Sequence, residues 1–177
     1  PLDTDPPRAM REGFAAIRQL EAAVMGAHWT DAVVLRYGWF YGPGTSIGLN
    51  PPGSQIEAIR KRQFPIVGKG TGVWSFVHIE DAASATVAAV EGGPAGTYNV
   101  VDDEPALVSE WIPALAEAVG AKPPWRLPRW LVRLVGGETA VVAMNEMRGA
   151  SNEKAKRELG WRLRFPSWRQ GFVDGLS

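Results

Sequence analysis

Cysteine is absent from the 177-residue chain, and its absence excludes disulfides, thiolate metal sites and a cysteine nucleophile while fitting a reducing cytoplasm. Only two histidines are available, His28 and His78. With so few nitrogen ligands and no tight His/Asp/Glu spacing, no transition-metal site is expected. No apolar run approaches the ~18 residues needed to cross a bilayer, and no signal-peptide pattern opens the chain, so a cytoplasmic protein without a membrane partner is expected. Nineteen basic residues balance nineteen acidic ones, which leaves no global field to attract nucleic acid. The stretch GKGTG at 68–72 has neither the length nor the Lys-Ser/Thr ending of a phosphate-binding P-loop, which excludes a nucleotide triphosphatase on that motif.

The most informative segment that is present is LRYGWFYGPG, Leu35 to Gly44. The preceding DAVVL, Asp31 to Leu35, is short, apolar and β-branched, and predicts a strand covered on both faces. It ends on a glycine-proline turn, and strand ends of this kind are where α/β folds bind ligands. Tyr37, Trp39, Phe40 and Tyr41 surround the glycines and can line a pocket, with Gly38 letting a flat ligand approach the backbone.

Around this segment the pattern alternates between helix and strand. Phe14, Ile17, Leu20, Val24 and Met25 recur at helical spacing, with Gly26 as a left-handed stop. A strand is expected from Ala32 to Tyr37. Ser54 is a candidate cap for the helix QIEAIRKRQ, and Phe64 to Val67 and Ser75 to Ile79 read as short strands. Asp81 is placed to cap the alanine-rich helix AASATVAAVE. A strand at Thr97 to Val101, a helix from Ser109 through Val119, a short helix LPRWLVRLV and a helix NEKAKREL, capped by Ser151 and stopped at Gly160, complete the series.

This order suits an α/β fold: the carboxyl-terminal part of a Rossmann-like doubly wound parallel sheet with a small, mostly helical substrate-binding subdomain. Residues of about 1–50 and 75–105 fall to the sheet-and-helix part, and about 51–74 and 106–177 to the substrate-binding part. Pro1 to Pro7, proline-rich and acidic, reads as a segment entering from upstream. Nothing reads strand, GxxGxxG, helix, so the amino half of such a fold is expected to lie outside these residues.

LRYGWFYGPG is similar to the LRxxNxYGPG block of the extended short-chain dehydrogenase/reductase family, the NAD-dependent epimerase/dehydratases. Three further blocks follow in the family's order: FVHIEDAA (Phe76 to Ala83), YNVVDDEP (Tyr98 to Pro105) with Ser109-Glu110-Trp111 behind it, and SNEKAKRELGW (Ser151 to Trp161). The resemblance implies NAD or NADP as cofactor and a small-molecule substrate. It places Tyr37, Gly38 and Trp39 beside the nicotinamide end of the cofactor, and Trp39, Phe40, Tyr41 and Trp74 around the substrate, with core packing as the alternative for Phe40 and Tyr41; Arg148, just before the final helix, is a further pocket candidate as an anion clamp.

The chain also departs from the family. A Tyr-x-x-x-Lys pair on the first helix normally carries the acid/base chemistry, the lysine lowering the tyrosine pKa. If Glu21 is the glutamate one turn further on, the lysine position is Ile17 and the tyrosine position Gly13, and neither can move a proton. Trp39 stands where the family usually has asparagine. Trp74 stands where members acting on nucleotide sugars carry an arginine, so a small or apolar-flanked substrate is expected instead.

The remaining candidates read as structural. His78 is expected to bond nearby backbone, Asp81 to cap a helix, and Asp102, Asp103 and Glu104 to form a solvated turn rather than a magnesium site. Trp111, Trp125, Trp130, Trp161 and Trp168 are assigned to packing. The leading expectation is part of an NAD(P)-dependent oxidoreductase or epimerase/dehydratase, inactive as an isolated chain. Alternatives are a non-catalytic dinucleotide-binding sensor or scaffold, and a half-domain that completes its sheet in a homodimer.

Overall fold

A computed structural model describes residues 5–177; the start of the Pro1 to Pro7 segment lies outside the described residues. After a 3-10 turn at Arg8–Met10, helix α1 (Arg11–Met25) leads to β1 (Val33–Tyr37) and β2 (Trp39–Tyr41). Then come α2 (Ser54–Arg60), β3 (Ile66–Val67), β4 (Val73–Trp74), β5 (Phe76–His78) and α3 (Ile79–Gly92). The chain continues through β6 (Gly96–Val100), β7 (Ala106–Leu107), α4 (Val108–Ala118), β8 (Arg126–Leu127), α5 (Arg129–Asn145), α6 (Glu153–Leu159) and α7 (Trp168–Asp174).

Gly38 governs the sheet. β1 pairs in parallel with β6, Val33 opposite Gly96 and Tyr37 opposite Val100, whereas β2 pairs in parallel with β5, Trp39 opposite Phe76. Between them the Gly38 N–H donates to Val100 O at 3.0 Å and the Trp39 N–H donates to Ser75 O at 2.8 Å. One extended run thus changes neighbour at Gly38. A Cβ there would lie 2.6 Å from Ser75 O and 3.0 Å from Val101 Cγ1, so the glycine is required by the adjacent backbone rather than by a ligand. This corrects the reading of Gly38 as an approach for a flat ligand.

β5 separates two cores because successive strand residues face opposite sides. Phe76 packs with Tyr41, Trp74, Trp111, Trp168 and Phe172 on one side. Val77 packs with Ala82, Ala85, Tyr98, Val100 and Trp161 on the other. The small alanines of α3 let that helix lie close to the sheet, as its composition suggested. β1 is only half-buried, and among the described residues β6 is its one strand neighbour, which leaves its other edge unpaired. α1 is amphipathic but has no buried residue, and Leu20, Val24 and Met25 stay exposed.

Several local expectations change. Gly26 ends α1 in a right-handed conformation (φ −81°). Ser54 is the first helical residue and Gly53 the cap position, with no side-chain cap. Asp81 sits inside the first turn of α3; the cap is His78, whose Nδ1 accepts the Glu80 N–H at 3.2 Å. The Nε2 of His78 therefore donates to Gly175 O at 2.9 Å, and its structural reading stands. Buried Asp81 instead accepts the N–H groups of Arg164 and Phe165 at 2.7 and 2.9 Å, tying the carboxyl-terminal segment to α3.

The helix expected over LPRWLVRLV runs on to Asn145, kinked at Gly137 with φ 76°, and α7 was not anticipated. Ser151 Oγ does accept the Glu153 N–H, although Asn152 holds the cap position of α6; that helix stops at left-handed Gly160. Trp111, Trp161 and Trp168 are core, but Trp125 and Trp130 are exposed, with the Arg62 guanidinium 3.7 Å from the Trp125 ring. Among the described residues no helix is long and apolar enough to cross a membrane.

The acidic run 102–104 is a solvated turn only at Asp103, which is exposed. Asp103 pairs with Lys156 at 3.0 Å, and Glu104 accepts from Ser167 and Arg169. Asp102 is buried, with no side-chain partner for either carboxylate oxygen. Burial pushes its carboxyl up to about 8, only partly offset by the backbone N–H groups of Trp168 and Glu104. A raised folded-state value means that the folded form holds a proton the unfolded form has released.

Two outcomes follow. Stability should fall as pH rises from 3.8, where a free aspartate titrates, to about 8, and urea midpoints of Asp102→Asn should lose that part of the slope. Gly38→Ala should lower the denaturation free energy by about 1–3 kcal/mol through overpacking. Gly13→Ala, where a Cβ meets nothing within 4 Å, should raise it by about 0.5–1 kcal/mol.

Candidate functional site

The change of neighbour at Gly38 occurs at the carboxyl ends of the parallel strands β1 and β6, the position at which open α/β sheets bind ligands. Two depressions meet there and share Tyr37, Gly38 and Trp39 as a common wall. One, of about 560 Å³, is completed by Phe40, Gly44, Thr45, Ser46 and Ile79. The other, of about 650 Å³, lies between Met10 and Phe14 on one side and Trp74, Ser75, Arg148 and Ser151 on the other, with Arg36 and Asn99 also lining it.

Strand alternation and the polar staples around it set these side chains. Trp39 is 46% exposed and stacks on Trp74 with ring centres 4.4 Å apart and planes 17° apart. Trp74 is fixed in turn: its Nε1 donates to Ala143 O at 2.8 Å, and its ring lies 5.0 Å from that of Trp111. The Tyr37 hydroxyl is 2.5 Å from Thr86 Oγ1. Since Thr86 donates to Ala82 O, Tyr37 is the donor in that pair.

Arg36 reaches back to α1, donating through Nε and Nη2 to the two Glu21 oxygens at 2.6 and 2.5 Å. This bond holds the Glu21 carboxyl below its ordinary value against the opposing effect of burial. The pair locks α1 against β1 and brings the first turn of α1 over the larger depression. On the opposite rim, Ser75 Oγ accepts the Ala150 N–H at 2.9 Å and Asn99 Nδ2 donates to Ser151 O at 3.1 Å. These two bonds hold the segment that carries Arg148.

Five of the expected residues therefore come together: Tyr37, Gly38, Trp39, Trp74 and Arg148 line one cavity. Phe40 opens into the smaller depression. Tyr41 does not belong to the pocket. It is fully buried in the core against Phe76 and Phe172, because the alternation that turns Phe40 outward turns its neighbour in. Gly13 and Ile17 lie on α1, Ile17 exposed at 43%, and offer no proton-transferring group. Arg36, Asn99, Met10 and Phe14 were missed. Arg36 and Asn99 oppose each other in the β1–β6 register, which pairing decides and the local pattern does not.

The cavity walls fit only one end of a dinucleotide. Tyr37, Trp39 and Phe40 present planar apolar surface suited to a nicotinamide ring. The Gly42–Ser46 turn is no pyrophosphate cradle, since Thr45 Oγ1 donates to Gly42 O and accepts the Ile47 N–H, so the hydroxyl is used inside the turn. The amino terminus of α3 carries Glu80 and Asp81 in its first turn, a charge that opposes phosphate. Among the described residues, no group of His, Asp and Glu could hold a metal ion.

Comparison with known proteins agrees with this geometry. Residues 12–101 match the model of the NAD dependent epimerase/dehydratase family. A Streptomyces protein named 3-diazoavenalumate denitrifying reductase is 39% identical over 177 residues, covering 96% of this chain and 57% of its own length. A conserved protein of unknown function from Silicibacter pomeroyi superimposes with a TM-score of 0.67 at 26% identity, covering 94% of this chain and 55% of that one. A human epimerase family protein solved with NADPH gives a TM-score of 0.71 at 21% identity over 91% of this chain and 53% of that one, a likeness of fold. The chain thus spans just over half the length of these relatives, and its fold is the Rossmann-like α/β architecture they share. NAD dependence, the cofactor class implied by the sequence blocks, is a property of the matched family. The chain belongs to the NAD dependent epimerase/dehydratase family.

Proposed function

We propose that this chain forms the substrate side of an NAD- or NADP-dependent reductase that takes a small, apolar-flanked substrate. The observation that carries this reading is the convergence of Tyr37, Gly38, Trp39, Trp74 and Arg148 on one cavity of about 650 Å³ at the carboxyl ends of β1 and β6. A bound nicotinamide cofactor would supply hydride. Tyr37, Gly38 and Trp39 would flank its ring, while Trp39, Phe40 and Trp74 keep water from the neighbouring space and Arg148 supplies positive charge at the rim. The name of the Streptomyces relative, a denitrifying reductase, supports reduction over epimerisation.

Gly13 and Ile17 shape the chemistry. An epimerase or dehydratase must remove and return protons, and the family's pair for that work has no counterpart on α1. Reduction makes a smaller demand: the cofactor would supply the hydride and solvent the one proton that the product takes up, so α1 need not supply a base. The same absence favours a second reading, a sensor or scaffold that binds a dinucleotide without turnover.

The isolated chain is inactive in this proposal, because the described residues contain no pyrophosphate cradle. Titration of the 177-residue chain with NADH and NADPH, followed by nicotinamide fluorescence, should give no saturable binding below about 1 mM. Micromolar binding would overturn that. In a protein of the relatives' length that includes this chain, NADPH or NADH should be consumed when small unsaturated, carbonyl or diazo compounds are offered. Cofactor binding without consumption of any of them would favour the sensor.

A further inference from the structure

We propose that the surface formed by residues 122–135 docks on an anionic lipid bilayer, lying at the headgroup level without crossing it. The proposal is independent of the reductase reading. Three observations lead to it.

The first is apolar exposure outside the site. Trp125 and Trp130 are exposed, and neither lines the two depressions at Tyr37 to Trp39. At the start of α5, Val132 packs against the core. Trp130 and Leu134, four residues apart and so on one helix face, are 64% and 78% exposed, and Val135 is 86% exposed. The outward stripe of this segment is thus apolar, the reverse of what a water-facing helix presents. The kink at Gly137, φ 76°, ends the stripe.

The second is that the surface is built. β8 pairs in parallel with β3, and the Ile66 N–H donates to Trp125 O at 2.8 Å. Arg62 donates through Nε to Pro123 O at 2.9 Å and sets its guanidinium 3.7 Å from the Trp125 ring centre. The ladder and the guanidinium together hold this indole at the surface.

The third is charge. Lys122, Arg126, Arg129 and Arg133 fall within 122–137, a span with no acidic residue. Arg133 pairs with Glu138 past the kink; Lys122, Arg126 and Arg129 make no ion pair among the described residues. The end of α2, joined to this surface through Arg62, adds Arg60 and Lys61. With Glu57, Glu117 and Glu138 counted against them, seven basic residues stand beside three acidic ones, although the whole chain is neutral. Basic groups interleaved with indole and aliphatic side chains match a bilayer interface, where anionic lipids attract Lys and Arg and tryptophan settles between headgroups and acyl chains. Such docking needs no spanning helix, and the described residues contain none. Charge and chemistry also decide against other occupants. In a twofold dimer through this face the same arginines would meet their own copies. Leu134 and Val135 offer a nucleic acid neither a ring for stacking nor a hydrogen bond.

The test is co-sedimentation of the 177-residue chain with vesicles of phosphatidylcholine alone or with about 30 mole per cent phosphatidylserine. The anionic vesicles should be bound about 10-fold more tightly or better, and raising the salt from about 0.1 to 0.5 M should remove most of that preference. Arg126→Glu combined with Arg129→Glu should weaken binding by about 30-fold or more. Trp130→Ala combined with Leu134→Ala should weaken it by about 10-fold. Val90→Ala, at an exposed apolar residue of α3 away from this segment, should leave it unchanged. Circular dichroism of each variant checks that the fold is retained. No binding to the anionic vesicles at about 1 mM lipid, equal binding to both vesicles, or undiminished binding by the folded double variants would each overturn the proposal. A dimer in analytical ultracentrifugation that Trp130→Ala disperses, in a chain that vesicles do not bind, would assign the face to a second copy. Binding of a single-stranded oligonucleotide with the same dependence, again without vesicle binding, would assign it to nucleic acid; either result overturns the proposal. In a protein of the relatives' length the vesicle binding should persist, and its loss there would overturn the proposal by showing that the longer chain covers this face.

Discussion

A single backbone crossing organises this chain. Where the first long strand leaves β6 and joins β5, the backbone passes so close to Ser75 and Val101 that residue 38 has no room for a side chain. Tyr37 and Trp39 are consequently placed on either side of a fixed point. Parallel register then follows on both flanks, setting Arg36 opposite Asn99 and Trp39 opposite Phe76. The shared wall of the two depressions is this crossing viewed from the solvent.

Polar side chains hold the rest around it. The buried tethers tie the carboxyl-terminal segment to the strand ends and to α3: His78 to Gly175, Asp81 to Arg164 and Phe165, and Asn152 to Val101 O at 2.8 Å and Asp103 at 2.7 Å. Such bonds satisfy backbone groups that would otherwise be buried unpaired, a lapse that costs about 1–3 kcal/mol per group. Asp102 is the exception, a buried carboxyl beside strand β5 at which burial outweighs the pull of the Trp168 and Glu104 backbone N–H groups. Its raised pKa is the electrostatic counterpart of Glu21, a carboxyl of α1 held low by a two-pronged guanidinium. Burial dominates one, a charged hydrogen bond the other.

Much of the site was legible in one sequence segment. LRYGWFYGPG supplies Tyr37 through Phe40, and Trp74 and Arg148, named from the segments before β5 and before α6, line the larger cavity with Tyr37 and Trp39. The assignments that failed did so for identifiable reasons. Tyr41 faces the core because of a one-residue alternation that an aromatic cluster conceals. Asp81 and Ser54 satisfied the composition of a helix cap, but caps depend on where the first helical turn starts, and that was shifted by one to three residues. Asp102 to Glu104 looked solvated because an acidic run usually is; here partners more than 50 residues away along the chain absorb two of the three charges.

From the sequence alone came the α/β order of elements and the family, since each of these rests on residue identity and local spacing. Only the tertiary structure decided that Gly38 is reserved for a neighbouring strand, that Trp39 stacks on Trp74, and that Arg36 is engaged by Glu21. Those are contacts between segments 15 or more residues apart. Their existence depends on strand pairing and on which face of each element is turned inward, and a pattern read along the chain does not contain that information.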